Sequence, residues 1–189
     1  MQTFYIFMAA IFSNNYILSR LLGVYSVTDT PEKKSAIIWE GIFTTITIVI
    51  LSILGHILYT WILEPLGISY MATLIMTLLL FIAAQFTVLI SKKMGKYNSI
   101  EITAGQIMAN SIVLAVILFG IDQDLTLANT IGNAFGAGIG YTLISVLLSD
   151  VMDKIDESYI VPAFRGLPLK LVSLGLMAYA FWGFCCLVK

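Results

Sequence analysis

Charged side chains are scarce in this chain, and their scarcity excludes an ordinary soluble domain. Asp, Glu, Lys and Arg make up 11% of the 189 residues, whereas about a quarter of the residues in a typical soluble domain are charged. The basic residues form no patch of the kind that binds nucleic acid, and no run rich in Ser, Gly or Pro separates two domains. The sequence therefore predicts a single domain over residues 1–189 and no nucleic-acid partner.

Side chains that could bind a metal are also scarce. The chain contains one His and two Cys, and the cysteines, Cys185 and Cys186, are adjacent. Neighbouring cysteines do not provide the spaced thiolate pairs of zinc or iron–sulfur sites, and a disulfide between them would be strained. We therefore interpret both cysteines as small apolar residues on a helix and expect no metal bound by this chain alone.

Apolar residues are abundant, at 59% of the chain with a mean hydropathy of +0.96. They fall into six segments, each close to the roughly 20 residues that cross a bilayer as a helix. The sequence thus predicts an all-α integral membrane protein with six transmembrane helices. The predicted spans are residues 3–23, 36–60, 68–90, 100–120, 130–150 and 169–188.

The basic residues predict the orientation of these spans. Nine of the ten lie on or beside the connections after spans 1, 3 and 5, and only Lys189 falls on the other side. Because cytoplasmic connections are enriched in Lys and Arg, we expect a multi-pass protein of a bacterial or archaeal inner membrane with both termini outside the cytoplasm. The nine residues are Arg20, Lys33, Lys34, Lys92, Lys93, Lys96, Lys154, Arg165 and Lys170.

A short asparagine motif occurs twice, 96 residues apart, at residues 14–18 (NNYIL) and 110–114 (NSIVL). Each copy lies in an apolar segment, where an amide is costly unless it is hydrogen-bonded. Three spans per half would make the second half run upside down relative to the first, as in inverted repeats. We therefore predict pseudo-repeats over 1–95 and 96–189, with broken helices in spans 1 and 4. The open backbone groups there can be satisfied by the asparagine side chains, by bound ions or by a partner subunit.

Two other features of the spans have a structural interpretation. The fifth span carries Gly132, Gly136 and Gly140, whose spacing lets another helix approach closely, so we predict a packing role. Glu40 lies near the cytoplasmic end of the second span, where a carboxylate is expected to reach headgroups or water.

Several segments together resemble the small six-span subunits shared by the Rnf and Nqr respiratory complexes, and the A-type members of that family in particular. The order and spacing are preserved over almost the whole chain, and the closing segment is the most specific. The segments are SNNYILSRLLGVYS (13–26), YTWILEPLGISYMATL (59–74), QFTVLISKK (85–93), ANSIVL (109–114) and VPAFRGLPLKLVSLGLMAYAFWGFCCLVK (161–189).

This resemblance implies a non-catalytic subunit of a membrane complex. Such a complex moves electrons between ferredoxin and NAD, or from NADH to quinone, and couples this to translocation of Na⁺ or H⁺. The resemblance further implies a fold of two inverted three-span halves and a homologous six-span partner, with an iron–sulfur cluster between the two subunits and flavins in other subunits.

The chain departs from the family at the cluster ligands. The two family cysteines fall on Tyr25 and Ser111, and a family acidic residue is replaced by Val88. A phenol or an aliphatic hydroxyl does not replace the thiolate or imidazole that a cluster needs. We therefore expect no catalytic or metal-binding residue here. The residues predicted to line the half-helix region at the partner contact are Asn14, Asn15, Gly23, Tyr25, Asn110 and Ser111.

The residues alone leave two other functions open. Inverted repeats with intramembrane amides also suit a small ion or solute transporter with a site near the midplane. A redox-inactive structural subunit, which holds a complex together without contributing chemistry, would equally explain the missing cysteines.

Overall fold

A computed structural model describes residues 2–28, 34–93 and 110–183, with the backbone alone for residues 87–93 and 157. Regular structure within these ranges is helical, and three stretches, Lys34–Leu63, Ser69–Phe86 and Leu127–Lys154, are long and apolar enough to cross a membrane. The described residues are thus all-helical, which is consistent with the predicted all-α membrane protein, while the six spans and the two inverted repeats stay predictions. The helices are α1 (Gln2–Ile11), α2 (Tyr16–Arg20), α3 (Val24–Thr28), α4 (Lys34–Leu58), α5 (Ala72–Lys93), α6 (Ser111–Asp122), α7 (Leu127–Lys154) and α8 (Leu167–Trp182).

The boundaries differ from the predicted spans in informative ways. The first predicted span, 3–23, is divided among α1, α2 and the turn before α3, and α4 continues beyond Leu58 as a π-helical turn over Tyr59–Leu63. The first part of predicted span 4, residues 100–109, lies outside the described residues, as do Cys185 and Cys186. A break in span 4 can therefore be followed only from α6 onward.

Helix α7 forms the centre of the molecule and makes its most extensive contacts with α4 and α1. Its glycines allow these close contacts, because side chains there would overlap α1. A Cβ atom at Gly136 would lie 2.6 Å from the Phe7 carbonyl oxygen, and one at Gly132 would lie 2.8 Å from Thr3 Cγ2. Gly140 faces the end of α1 in the same way, so all three glycines lie against the first helix.

A second row of small residues joins α7 to α4. A Cβ atom at Gly138 would lie 2.5 Å from Thr45 Cγ2, and Gly41 of α4 reciprocally accommodates the side chain of Thr142. The apolar core continues from this contact toward α5 and α6, where Ile48, Ile117 and Ile144 are fully buried. Helix α7 thus fixes the position of both α1 and α4.

Charged residues gather where α4 begins and α7 ends. Lys34 forms ion pairs with Asp150 and with Asp153, the latter at 3.5 Å between Nζ and Oδ2. Near this end, Lys170 of α8 donates a hydrogen bond to the Thr28 carbonyl of α3. These contacts bring the ends of four helices together on one side of the bundle.

Candidate functional site

The break after α1 is built around the side chain of Asn15. Helix α1 ends at Ile11 and a new helix begins at Tyr16, which leaves carbonyl groups of one helix and N–H groups of the other without helical partners. Asn15 Oδ1 accepts hydrogen bonds from the backbone nitrogens of Ile17 (3.0 Å) and Leu18 (3.4 Å), while Nδ2 donates to the Ile11 carbonyl at 2.9 Å. One buried amide therefore joins both helix ends.

The position of this break explains why it needs such an amide. Asn15 is 1% exposed, and the residues whose backbone groups it binds are buried with it. Backbone groups opened in such a place find no water. Gly140 of α7 leaves the space that Asn15 occupies, because a Cβ atom there would lie 2.7 Å from Asn15 Nδ2. The neighbouring Asn14 instead has an exposed side chain, so the two adjacent asparagines do different things.

The second asparagine motif also begins a helix. Asn110 is 2% exposed and has an extended backbone, and its Oδ1 accepts a hydrogen bond from the backbone nitrogen of Ile112 at 3.3 Å. Helix α6 starts at the next residue, Ser111. Both copies of the motif thus supply an N-terminal cap, a position where asparagine is among the most favourable residues. The two caps differ in register, because Asn15 is the second residue of its copy and Asn110 is the first residue of its own.

The second motif contacts the first part of the chain at Gly23. The backbone nitrogen of Gly23 donates a hydrogen bond to Ser111 Oγ at 2.9 Å. Its φ angle of +74° is one that glycine adopts readily, and a Cβ atom there would lie only 2.8 Å from Asn110 Oδ1. The structure therefore brings Gly23, Asn110 and Ser111 together, with Asn15 one short helix away. Their predicted place at a partner contact stays a prediction.

Leu21 is a residue of this region that sequence reasoning missed. It ends α2 in the left-handed conformation, with φ of +54°, and its N–H donates to the Ile17 carbonyl at 2.9 Å. Glycine or asparagine is usual at such a position, so a leucine there gives no signal in the sequence. The conformation costs about 1–2 kcal/mol for an L-residue, and it leaves the leucine side chain 63% exposed.

Tyr16 and Arg20 anchor α2 to the neighbouring helices, which the sequence also did not predict. Asn133 of α7 donates a hydrogen bond from Nδ2 to the Tyr16 hydroxyl at 2.9 Å. The ring of Phe119 in α6 lies 5.9 Å from the Tyr16 ring, and the Arg20 guanidinium lies 3.9 Å above that same Phe119 ring. Helix α2, only five residues long, is therefore held by side chains from both α6 and α7.

The comparisons with known proteins decide the family. A model of the Rnf-Nqr subunit family of membrane proteins matches residues 3–188. This chain belongs to the Rnf-Nqr subunit family. The resemblance predicted from its sequence is therefore confirmed.

Relatives of the Rnf-Nqr chain cover it almost from end to end. It is 31% identical over 186 residues to the A subunit of the Na⁺-translocating ferredoxin:NAD⁺ oxidoreductase complex of Acetobacterium woodii, covering 97% of each chain. The A subunits of two ion-translocating oxidoreductase complexes are similar. That of Proteus mirabilis is 32% identical over 186 residues (97% of this chain, 96% of the relative), and that of Aliivibrio fischeri is 30% identical over 178 (93% and 92%).

The residues at the expected cluster positions of this Rnf-Nqr subunit do not fit an iron–sulfur cluster. Tyr25 is 60% exposed and offers a phenol, while Ser111 offers a hydroxyl that accepts the hydrogen bond from Gly23. Neither group is a thiolate or an imidazole. Within residues 2–28, 34–93 and 110–183, no three His, Cys, Asp or Glu side chains come together in a way that could hold a metal.

A groove beside α6 extends from this region. It has a volume of about 690 Å³, and it is lined by Leu22 and Ser111 at one end and by Asp122 at the other. Tyr59 and Ser69 add hydroxyl groups to its wall. The half-helix region is therefore open on the side of this groove, where Ser111 is accessible. Tyr25 is exposed as well but does not line the groove.

Proposed function

We propose that this protein is the A-type membrane subunit of an Rnf-like ion-translocating oxidoreductase complex. In this role it would support electron transfer between ferredoxin and NAD(H), or from NADH to quinone, coupled to movement of Na⁺ or H⁺. The observation that carries the proposal is the family match over residues 3–188, together with relatives named as A subunits along nearly their whole length.

The exposed half-helix region supports a protein partner. Leu21, Tyr25 and Ser111 are all exposed beside backbone that is not helical. Non-helical backbone at membrane depth is tolerated only where protein covers it or water reaches it. Lipid chains offer neither hydrogen bonds nor water, so we infer that a homologous six-span subunit covers this surface.

The same region supports an inverted-repeat architecture. Asn15 and Asn110 both cap helices, and both lie in the buried centre of the molecule. We propose six spans in two halves, 1–95 and 96–189, in a bacterial or archaeal inner membrane with both termini outside. A cysteine-accessibility map would test this topology. Reagent that cannot cross the membrane should label a cysteine placed at Gln123 but not one placed at Lys154.

We further propose that this subunit supplies no ligand to an iron–sulfur cluster and that clusters and flavins are held by other subunits. The support is the chemistry of Tyr25 and Ser111, since a hydroxyl bound to Gly23 N–H is a poor substitute for a thiolate. Iron analysis of the purified chain tests this. Less than about a tenth of an iron atom per chain is expected, and a stoichiometric cluster with an EPR signal would refute it.

Co-purification from native membranes tests the proposed complex. An affinity-tagged chain should bring down subunits that carry flavin and iron–sulfur clusters, and isolation of the chain without them would contradict the proposal.

Two exposed tyrosines provide a matched pair of variants, Tyr25 at the half-helix region and Tyr179 on α8. Tyr25→Ala should reduce recovery of the homologous subunit several-fold, whereas Tyr179→Ala should leave it close to the parent level.

A further inference from the structure

The two ends of the groove beside α6 differ in their chemistry. At one end it is lined by Leu22 and by Ser111, whose hydroxyl already accepts the hydrogen bond from the Gly23 N–H. Leu114 and Leu118 of α6 continue the lining as an apolar wall, whereas the other end carries carboxyl and hydroxyl groups. A volume of about 690 Å³ is typical of small-molecule sites, which are mostly apolar with a few polar groups. The groove therefore suits a ligand with one polar end and one apolar end.

The packing of α4 and α6 brings the polar groups to one end of the groove. A Cβ atom at Gly55 of α4 would lie 2.7 Å from Ile117 Cγ2 of α6. The two helices run in the same direction, because α4 packs antiparallel to α7 and the short connection after α6 leads the chain back into α7. Beyond the contact, α4 reaches Tyr59 after one turn, α6 reaches Asp122 at its end, and the turn that begins at Ser69 leads into α5. Three helix ends thus surround the polar end of the groove.

Two carboxylates at this end have no counter-ion in the part of the chain that the structure describes. Asp122 is the last residue of α6, Asp124 lies in the connection to α7, and both are exposed and line the groove. The ion pairs of the described residues join Lys34 to Asp150 and Asp153 instead. A carboxylate accepts short, charge-assisted hydrogen bonds from an ammonium group. The acidic end of the groove therefore attracts a ligand that carries an ammonium.

Hydroxyl groups line the groove together with these carboxylates. They belong to Tyr59, Ser69 and Thr73, and a hydroxyl can donate a hydrogen bond to a phosphate oxygen. A zwitterionic phospholipid headgroup presents a phosphate and an ammonium close together, with acyl chains behind them. This set of groups matches the hydroxyls, the carboxylates and the apolar wall of the groove.

We propose that this groove binds one phospholipid with a primary ammonium headgroup, phosphatidylethanolamine. Its ammonium lies at Asp122 and Asp124, its phosphate lies at the hydroxyl groups, and one acyl chain follows α6 toward Leu22. The quaternary ammonium of phosphatidylcholine has no N–H to donate, and the carboxylates repel the net negative charge of phosphatidylglycerol. The site therefore selects one headgroup, and it stands independently of the proposed redox complex.

Native mass spectrometry of the full chain tests this site, with dioleoyl lipids added in turn to the delipidated protein in detergent. Phosphatidylethanolamine should bind roughly five-fold more tightly than phosphatidylcholine, the ratio expected from one hydrogen bond, and phosphatidylglycerol should bind no better than phosphatidylcholine. The double variant Asp122→Asn, Asp124→Asn should bind the first two lipids equally. Glu64→Gln alters an exposed glutamate before α5 that does not line the groove, and it should keep the parent preference. Equal binding of the first two lipids to the parent, or an unchanged preference in the double variant, would overturn the proposal.

Ala115→Leu tests the apolar part of the groove without changing its charge. Ala115 is partly buried and lines the groove, so the larger side chain should exclude the acyl chain and weaken phosphatidylethanolamine binding several-fold. An unfolding temperature close to that of the parent identifies a folded variant, and parent-like binding by that variant would contradict the proposal. If Ala115→Leu does not fold, the double Asn variant decides alone. These measurements need no partner subunit, so their failure would leave the proposed complex intact, and a failure to co-purify with redox subunits would leave the lipid site intact.

Discussion

The two asparagine caps share a sequence motif but do different work. Asn15 satisfies groups on both sides of one break, accepting from Ile17 and Leu18 and donating to Ile11. Asn110 accepts from Ile112 in its own helix, and its side chain lies close to Gly23 in the first half of the chain. The first cap therefore joins consecutive helices, whereas the second lies where distant parts of the chain meet.

This difference shows that similar sequences can start a helix in both halves of the chain without the same register or the same surroundings. Asparagine is favoured at both caps because its side chain accepts from N–H groups at a helix start, although the cap is the second residue of the first copy and the first residue of the second copy. The residue packed against each amide comes from the other half of the chain: Gly140 lies against Asn15, and Gly23 lies against Asn110. Variants at these positions can therefore break or sharpen the comparison.

The largest effect is expected from Gly23→Ala, which disturbs the contact between the second cap and the first half of the chain. The new Cβ would meet Asn110 Oδ1 at 2.8 Å and would also be strained by the positive φ. We expect a loss of about 2–4 kcal/mol in the free energy of unfolding, from left-handed strain and overpacking together. SDS-induced unfolding in mixed micelles provides the measurement.

Gly67→Ala is the matched control for that variant. Gly67 has nearly the same φ, +69°, and a Cβ atom added there would have nothing within 4 Å. It should lose about 1–2 kcal/mol from strain alone. Equal losses for Gly23→Ala and Gly67→Ala would show that the contact with Asn110 contributes nothing.

The second prediction compares the caps themselves. Asn15→Ala removes three hydrogen bonds and leaves buried backbone groups open, so it should cost about 2–3 kcal/mol. Asn110→Ala removes the bond to Ile112 and should cost about 1 kcal/mol. The same unfolding assay applies to both. A larger loss for Asn110→Ala would reverse the comparison and would mean that the second cap has more partners than the first.

Much of this architecture could be predicted from the sequence, because hydropathy and small-residue spacing report directly on membrane helices and their contacts. The asparagine motif also indicated where helices begin. The connections between these elements could not be predicted in the same way. Leu21 occupies a conformation that its side chain disfavours, and the pairing of Tyr16 with Asn133 joins residues 117 positions apart. Such features depend on tertiary packing, which leaves no local pattern.

The third prediction sharpens the role of α7 in the first region. Gly140→Ala places a Cβ 2.7 Å from Asn15 Nδ2 and 3.1 Å from the Ala10 carbonyl oxygen. Overpacking should lower the free energy of unfolding by about 1–2 kcal/mol. Gly175→Ala on α8, where nothing lies within 4 Å, should be neutral or slightly stabilising because alanine favours helix. If Gly175→Ala also lowered the free energy of unfolding, glycine substitutions would be acting through helix stability or lipid contacts, and the loss in Gly140→Ala could not be assigned to the contact with Asn15.

The smallest effect is expected at Ser111, the position where the family resemblance places a cysteine. This variant tests whether the Ser111 hydroxyl stabilises the fold. Ser111→Ala leaves the Gly23 N–H without its acceptor at 2.9 Å, so the free energy of unfolding should fall by about 1 kcal/mol. Ser111→Thr keeps the hydroxyl and should lose less. Because Ser111 is exposed, the alternative is that it serves the partner rather than the fold. In that case Ser111→Ala would have the same free energy of unfolding in micelles as the parent, but less of the homologous subunit would co-purify with it from native membranes. The hydrogen bond to Gly23 would then not stabilise the contact between the two halves.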